Sequence, residues 1–385
     1  MRVYCVGGAV RDELLGLPVA DRDHVVVGAT PEEMMQLGYK PVGKDFPVFL
    51  HPKTREEYAL ARTERKVARG YRGFTIHASP EVTLEQDLAR RDLTINAIAK
   101  DEDGSLIDPF GGARDLREGV LRHVSPAFAE DPVRILRVAR FAARYSFPVA
   151  EETMDLMRRM VHGGEADALV PERVWQEFSR GLMEAAPARM FSVLAASGLL
   201  DRLLPELEFA FDEGVVANDA ARTAFGALAY AARNAYPLPV RFALLFPRLH
   251  AVPGGEAALR DVAARLRAPN DCRELALATV RYAEQAKRAQ SLSPEGLLAL
   301  LEGCDALRRP SRLDELLLAC EAQCFGERGW VEIPFPPRRA LVRALAQAAG
   351  IDAGPIAAKG PRARIAERVR AARLEAIAAA FGRRT

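Results

Sequence analysis

The sequence predicts an α+β fold, a mixed sheet with helices at the N-terminus and a helical remainder, on three observations. An apolar run, Val3-Tyr4-Cys5-Val6, passes through Gly7-Gly8 and a short helix into a second run, Val25-Val26-Val27. Residues 40–60 read as strand material with a turn at His51-Pro52-Lys53. Beyond Phe141 the chain reads as almost entirely helical.

The first helix ends where Leu14-Leu15 meets Gly16, suited to a left-handed residue past a helix end, and Pro18, which cannot continue it. The second strand is therefore expected to start near Val19. Side chains alternate along a strand, so Asp21 and Asp23 would project the same way, roughly 7 Å apart. Two carboxylates on a rigid strand suit Mg2+, a hard ion that shares itself between protein carboxylates and substrate phosphates. Paired ions roughly 3.5–4 Å apart would stabilise the entering and leaving oxygens of an in-line displacement. Gly7-Gly8 lets backbone N–H groups approach a triphosphate, and Arg11 adds positive charge. The chemistry expected is phosphoryl or nucleotidyl transfer. An Asp-x-Asp or a Gly-Gly alone is common in loops; their order and spacing here form a far rarer combination.

Thr30 caps a helix expected over 31–39, and strands follow to Leu60, where Glu56 or Glu57 is a candidate third metal carboxylate or a solvated strand residue. Residues 62–74 carry Arg62, Arg65, Lys66, Arg69 and Arg72 among glycines and aromatics, which suits a loop meeting phosphates or bases as well as an ordinary solvated loop. Thr83-Leu84-Glu85-Gln86 has capping-box form and opens a helix with Leu84, Leu88, Ile95 and Ile98 as apolar positions, carrying Arg90-Arg91-Asp92-Leu93-Thr94-Ile95-Asn96-Ala97. In Glu130-Asp131-Pro132-Val133-Arg134, Pro132 suits the first helical position and Asp131 the N-cap, with Arg134, Arg137 and Arg140 recurring every three residues.

A chain of 385 residues with 49% hydrophobic content can bury substantial cores, and divides into two to four domains at roughly 100–200 residues each. The net charge of +2 gives no global sign of a polyanionic partner, so one must be argued from local clusters. The N-terminus enters a strand at once and no apolar run reaches membrane-span length, so a cytoplasmic, membrane-free location is expected. Five cysteines, Cys5, Cys272, Cys304, Cys320 and Cys324, make no disulfide framework or zinc set and are read as reduced packing residues. Basic residues outnumber acidic ones between Lys359 and Arg384, which suits an RNA backbone as well as a solvated tail.

Gly7-Gly8-Ala9-Val10-Arg11-Asp12, Leu15-Gly16 and Asp21-Arg22-Asp23 resemble the first signature of the bacterial class II tRNA nucleotidyltransferases, the CCA-adding enzymes of the DNA polymerase β-like superfamily. Arg90 to Ala97 resembles the second signature, Asp108 to Leu116 a third, Glu130 to Phe141 the fourth, and Pro171-Glu172-Arg173-Val174-Trp175-Gln176-Glu177 a fifth that supports the neck. The stretch from Gly43 to Pro52 is similar to the family's as well. The resemblance implies a nucleotidyltransferase head over 1–125, a helical neck over 126–205 and a helical body and tail over 206–385. It implies that Gly8, Arg11, Arg91, Arg137 and Arg140 bind the nucleotide, that Asp92 and Asn96 lie by the ribose or hold that arrangement, and that the loop within 62–74 assists the switch from C to A addition. The partners implied are the tRNA 3′ end, CTP and ATP, with no protein partner expected.

The fourth signature has a chemical rationale. Cytosine and adenine both present an exocyclic amine beside a ring-nitrogen acceptor, whereas uracil and guanine present a carbonyl beside an N–H. A carboxylate acceptor at Asp131 next to a donor at Arg134 therefore fits C and A, and a mismatch leaves groups unpaired at about 1–3 kcal/mol each. Alternatives left open are an enzyme adding only CC or only A, a poly(A) polymerase, and a non-catalytic tRNA-binding protein, for which Asp21 and Asp23 have no use. One departure is plain. Longer relatives carry a His-Asp phosphohydrolase pair where this chain has Phe246-Pro247-Arg248, and only His250 lies beyond residue 162, so that activity is expected to be absent.

Overall fold

The computed structural model describes residues 1–19, 21–42, 48–66, 74–207, 211–212, 215–216, 219–246, 249–332, 334–358 and 364–381. They fall into two compact units, Met1–Leu203 and Leu204–Thr385.

In the first unit, β1 (Arg2–Val6), α1 (Gly8–Leu14), β2 (Asp23–Val27), α2 (Pro31–Gln36), β3 (Lys40–Val42), β4 (Val48–Leu50) and β5 (Glu57–Leu60) follow in turn. A separate hairpin, β6 (Arg62–Lys66) with β7 (Phe74–Ala78), leads to α3 (Leu84–Ala89), β8 (Ala99–Lys100) and β9 (Leu106–Ile107). The main sheet has seven strands in the order β3-β4-β5-β2-β1-β8-β9. Strand β2 lies between β1, antiparallel with Val6 opposite Asp23, and β5, parallel with Glu57 beside Asp23. Alternation along these strands splits the core into two faces. Tyr4, Val6 and Val25 pack on Leu84 and Leu88 of α3, while Val26, Phe49 and Leu60 pack on Met34 of α2.

Helices α4 (Gly112–Glu118), α5 (Val133–Tyr145), α6 (Glu151–His162), α7 (Pro171–Met183), α8 (Pro187–Ala196) and α9 (Leu199–Leu203) complete the unit. Helix α5 packs against α7 and α8, with Ile135, Leu136 and Val138 fully buried. Each such side chain contributes about 1.5–3 kcal/mol by leaving water, which fixes the polar face of α5 as well. The second unit is built from α10 (Asp219–Arg233), α11 (Leu238–Ala243), α12 (Gly255–Arg265), α13 (Asn270–Lys287), α14 (Pro294–Gly303), α15 (Ser311–Glu327), α16 (Pro337–Ala349), α17 (Ala353–Ala358) and α18 (Ile365–Phe381), with Phe211–Asp212 pairing antiparallel with Val215–Val216.

Several elements differ from expectation. Strand β2 starts at Asp23 and not near Val19, because the ladder to Val6 begins only there; Asp23 opens the strand and Asp21 precedes it. Helix α3 stops at Ala89, so the Arg90–Ala97 segment lies beyond it. Asp92 turns its own carboxylate back onto the Leu93 N–H at 2.8 Å, Leu93 bridges to His123, and Thr94–Asn96 forms a 3-10 turn. Part of the basic stretch read as a loop is strand, Arg62–Lys66 pairing with Phe74–Ala78, while its 67–73 portion lies outside the described residues. Residues 43–47, 247–248, 359–363 and 382–385 lie outside them too, so of the basic C-terminal stretch only Arg364, Arg368, Arg370 and Arg373 are described. The capping box at Thr83 and the cap at Thr30 form as read, and Glu33 completes a capping box at Thr30 as well. All five cysteines are free, and burial pushes the Cys320 thiol up to about 12.

Candidate active site

A cleft of about 780 Å³ opens in the first unit, and Gly8, Arg11, Asp21, Asp23, Arg91, Asp131, Arg134, Arg137 and Arg140 all line it. Each is delivered by a local reason. Gly7 sits at φ +71 between β1 and α1, its N–H donating to the Ile98 carbonyl at 3.1 Å, and a Cβ there would come within 2.8 Å of Arg91 Nη1. Only glycine therefore turns the chain into α1 with the Arg91 guanidinium against it. The backbone of Asp23 is held by the sheet, whereas Asp21 stands two residues ahead of the strand; both are exposed in the cleft.

The remaining residues form one polar network. Arg11, on the fourth position of α1, donates to Asn96 Oδ1 at 2.5 Å and Asp12 Oδ1 at 2.8 Å, beneath the rings of Phe141 and Tyr145. Asp12 also accepts from Arg144 at 3.1 Å and the Tyr145 hydroxyl at 2.9 Å, which ties α1 to the end of α5. Asn96 donates to Asp92 Oδ1 at 2.9 Å, Asp92 Oδ2 accepts from Arg137 Nε at 2.7 Å, and Arg137 reaches Glu177 on α7 at 3.3 Å. Glu177 takes Arg140 Nε on its other oxygen at 2.6 Å.

Buried charge of this kind persists only when paired. Burial alone would push the Asp92 carboxyl up, but Arg137, the Asn96 hydrogen bond and Arg134 outweigh it and hold Asp92 well below the ordinary carboxylate range. Asp87 is likewise held low against burial by Arg90 and Arg91. Arg91 accordingly faces the cleft with its charge anchored to Asp87 at 3.3 Å.

Asp131 and Arg134 stand together at the start of α5, the Arg134 N–H donating to the Asp131 carbonyl at 3.0 Å. Helix α5 starts at Val133 with Pro132 in the capping position, one residue later than expected; Asp131, just before it, still accepts the Val133 N–H on Oδ1 at 3.2 Å, and both of its oxygens receive Arg173 of α7, at 3.1 and 2.7 Å. Arg134 donates to the carbonyls of Ala127 at 2.8 Å and Arg90 at 2.6 Å, which fastens α5 to the segment carrying Arg91. A carboxylate has about four lone-pair sites, so Asp131 keeps capacity for one more donor.

The sequence motifs do not mark Asp12, Arg144, Tyr145, Arg173 and Glu177 as members of this network, nor Arg90 and Arg180 as cleft residues; Arg62, from the basic stretch suited to phosphates or bases, does line the cleft. The available signal was spacing: Arg144 continues the Arg134-Arg137-Arg140 series by one turn, and Arg173 and Glu177 lie one turn apart on α7. Of the candidate third carboxylates, Glu57 stands beside Asp23 in the sheet and Glu56 accepts the Thr54 hydroxyl, but neither lines the cleft. Among the described residues no group of three or more His, Cys, Asp or Glu forms a metal site; of the carboxylates that line the cleft, Asp12, Asp92 and Asp131 are paired with arginines, and Asp21 and Asp23 are exposed.

Residues 3–122 match the family model of the poly A polymerase head domain, and residues 146–211 match that of the probable RNA and SrmB-binding site of polymerase A. The multifunctional CCA protein of Chromobacterium violaceum is 56% identical, the match covering 98% of this chain and 98% of that one. The chain belongs to the bacterial CCA-adding enzymes of the polymerase β-like superfamily. The multifunctional CCA protein of Methylobacillus flagellatus, 55% identical over 99% of this chain and 98% of its own length, belongs beside it. Two solved CCA-adding enzymes share the fold. One, in complex with CTP, gives a TM-score of 0.69 at 23% identity over 98% of this chain and 87% of that chain. The Bacillus stearothermophilus CCA-adding enzyme in complex with CTP gives 0.63 at 25% identity over 96% and 88%. As a member of this family the chain is a nucleotidyltransferase.

Proposed function

We propose that the chain builds and repairs the 3′-terminal CCA of tRNA without a nucleic-acid template, taking CTP and ATP and releasing diphosphate. The observation that supports this most is the gathering of two exposed carboxylates, a glycine turn and a base-edge acid with its neighbouring arginine around one cleft.

In this reading the tRNA 3′-hydroxyl loses its proton and bonds to the α-phosphate of the nucleotide, and the bridging bond to the β-phosphate breaks. Asp21 and Asp23 would hold divalent cations, Mg2+ by the hardness of their oxygens, which when bound supply Lewis-acid stabilisation of the charge on the reacting oxygens. Gly8 admits the triphosphate close to the backbone, while Arg11 and Arg91 bring positive charge whose position is fixed by Asp12, Asn96 and Asp87. The Asp131 carboxylate accepts the exocyclic amine of cytosine or adenine, and Arg134 donates to the ring nitrogen beside it. Arg137 and Arg140, locked by Asp92 and Glu177, hold the helix that presents this pair and keep positive charge along the cleft. These substrates are cytoplasmic, which puts the enzyme there. No helix among the described residues is long and apolar enough to cross a membrane.

The test offers tRNAs ending before the first C, the second C or the final A with each nucleotide separately. Incorporation of C, C and A in turn, with UTP and GTP refused, is the expected result. A tract of A on every substrate would replace this reading with poly(A) synthesis, and incorporation of CTP alone or ATP alone would reduce it to partial addition.

A further inference from the structure

Most of the arginines of the cleft are engaged by protein carboxylates and Arg134 by two carbonyls, but Arg180 is not. It lines the same cleft, is exposed, and has no hydrogen-bond or ion-pair partner among the described residues. Helical spacing offers it two, Glu177 three residues before and Glu184 four residues after. Both turn elsewhere: Glu177 takes Arg137 and Arg140, and Glu184 lies 3.8 Å from Arg140. The pairing also fixes where Arg180 stands. Asp131 with Arg173 and Arg137 with Glu177 make α5 and α7 run side by side in one direction, so Arg180, roughly 10 Å along the axis from Arg173, is level with Arg140 and past the base-reading pair.

We propose that Arg180 is a phosphate-binding residue of this cleft, its guanidinium meeting a phosphate oxygen of the substrates. This rests on the nucleotidyl-transfer reading above. Both substrates are polyanions, and the oxygen belongs either to the terminal phosphodiester of the RNA or to the triphosphate of the incoming nucleotide. A charge whose nearest carboxylates have been committed to its neighbours remains available to a ligand, and a planar guanidinium grips phosphate in a forked geometry that an ammonium does not. Because Arg180 is exposed and outside the buried network, its removal leaves the fold intact.

The experiment compares wild type, Arg180→Ala and Arg180→Lys. It measures KM for truncated tRNA, KM for CTP, kcat, and the salt dependence of tRNA binding. Arg180→Ala is expected to raise one KM roughly tenfold with a smaller change in kcat, and Arg180→Lys to recover part of the loss. A phosphodiester contact raises KM for tRNA and flattens the slope of log K against log salt by about 0.7. A triphosphate contact raises KM for CTP and leaves that slope alone. If wild type incorporates CTP while Arg180→Ala keeps both KM values and the salt slope, the proposal is overturned. If wild type incorporates no CTP, the reading beneath it falls, and this proposal with it.

Discussion

The base-reading role proposed for Asp131 and Arg134 rests on two side chains. Asp131 just precedes α5 and Arg134 lies in its first turn, the acid oriented by Arg173 and the arginine by two carbonyls, so their directions are set before any ligand arrives. Replacing Arg134 with Ala should relax discrimination against UTP and GTP more than it slows CTP incorporation, as read from the ratio of kcat/KM values; unchanged selectivity would remove it from base reading. Asp92 acts in a different way. Its carboxyl is held below its unfolded value, so the stability it confers is present above about pH 3.9 and is lost as pH falls further toward the folded value. Asp92→Asn should cost about 3 kcal/mol at pH 7 by leaving Arg137 short of a partner, and should flatten the acid limb of the stability curve below about pH 4. Equal acid limbs in urea titrations of the two proteins would contradict that assignment.

At the scale of elements, the sequence was most legible where local chemistry decides. The Gly16 helix stop, the Thr30 cap of α2 and the capping box of α3 depend on neighbours within a turn, and they form where read. Misreadings arose where long-range pairing overrides the local pattern. The start of β2 is set by Val6 and Glu57 on other strands, and the end of α3 by Asp92 and by the bridge from Leu93 to His123. The network through Asp12, Asn96, Asp92 and Glu177 spans residues from 11 to 177 and has no local signature, although each member was adjacent to a motif. Gly7 joins the two scales, since its positive φ and its contact with Arg91 both exclude a side chain. Gly7→Ala should cost about 1–3 kcal/mol and displace Arg91 from the cleft. A raised KM for both CTP and ATP with a lowered melting temperature would bear this out, and a variant equal to wild type in both would contradict it.

Across the whole molecule, the two units carry different amounts of readable chemistry. The first concentrates its motifs around one cleft, and family membership extends the likeness over nearly the full chain, including the helical second unit where sequence motifs were thin. In that unit the chain has Phe246-Pro247-Arg248 where the family resemblance would lead one to look for a His-Asp pair, and His250 is the one histidine beyond residue 162. Metal-dependent phosphodiesterase and phosphatase turnover should therefore be at background with Mg2+, Mn2+, Ni2+ or Co2+ supplied; turnover that depends on one of these ions and survives Asp21→Ala would reveal a second centre. The central claim is that Asp21 and Asp23 anchor the divalent ions of nucleotidyl transfer. Anomalous scattering from crystals soaked with Mn2+ and a non-hydrolysable CTP analogue tests it most directly. Manganese peaks at both carboxylates with the triphosphate beside them are expected, and peaks and triphosphate lodged away from residues 21 and 23 would contradict the account.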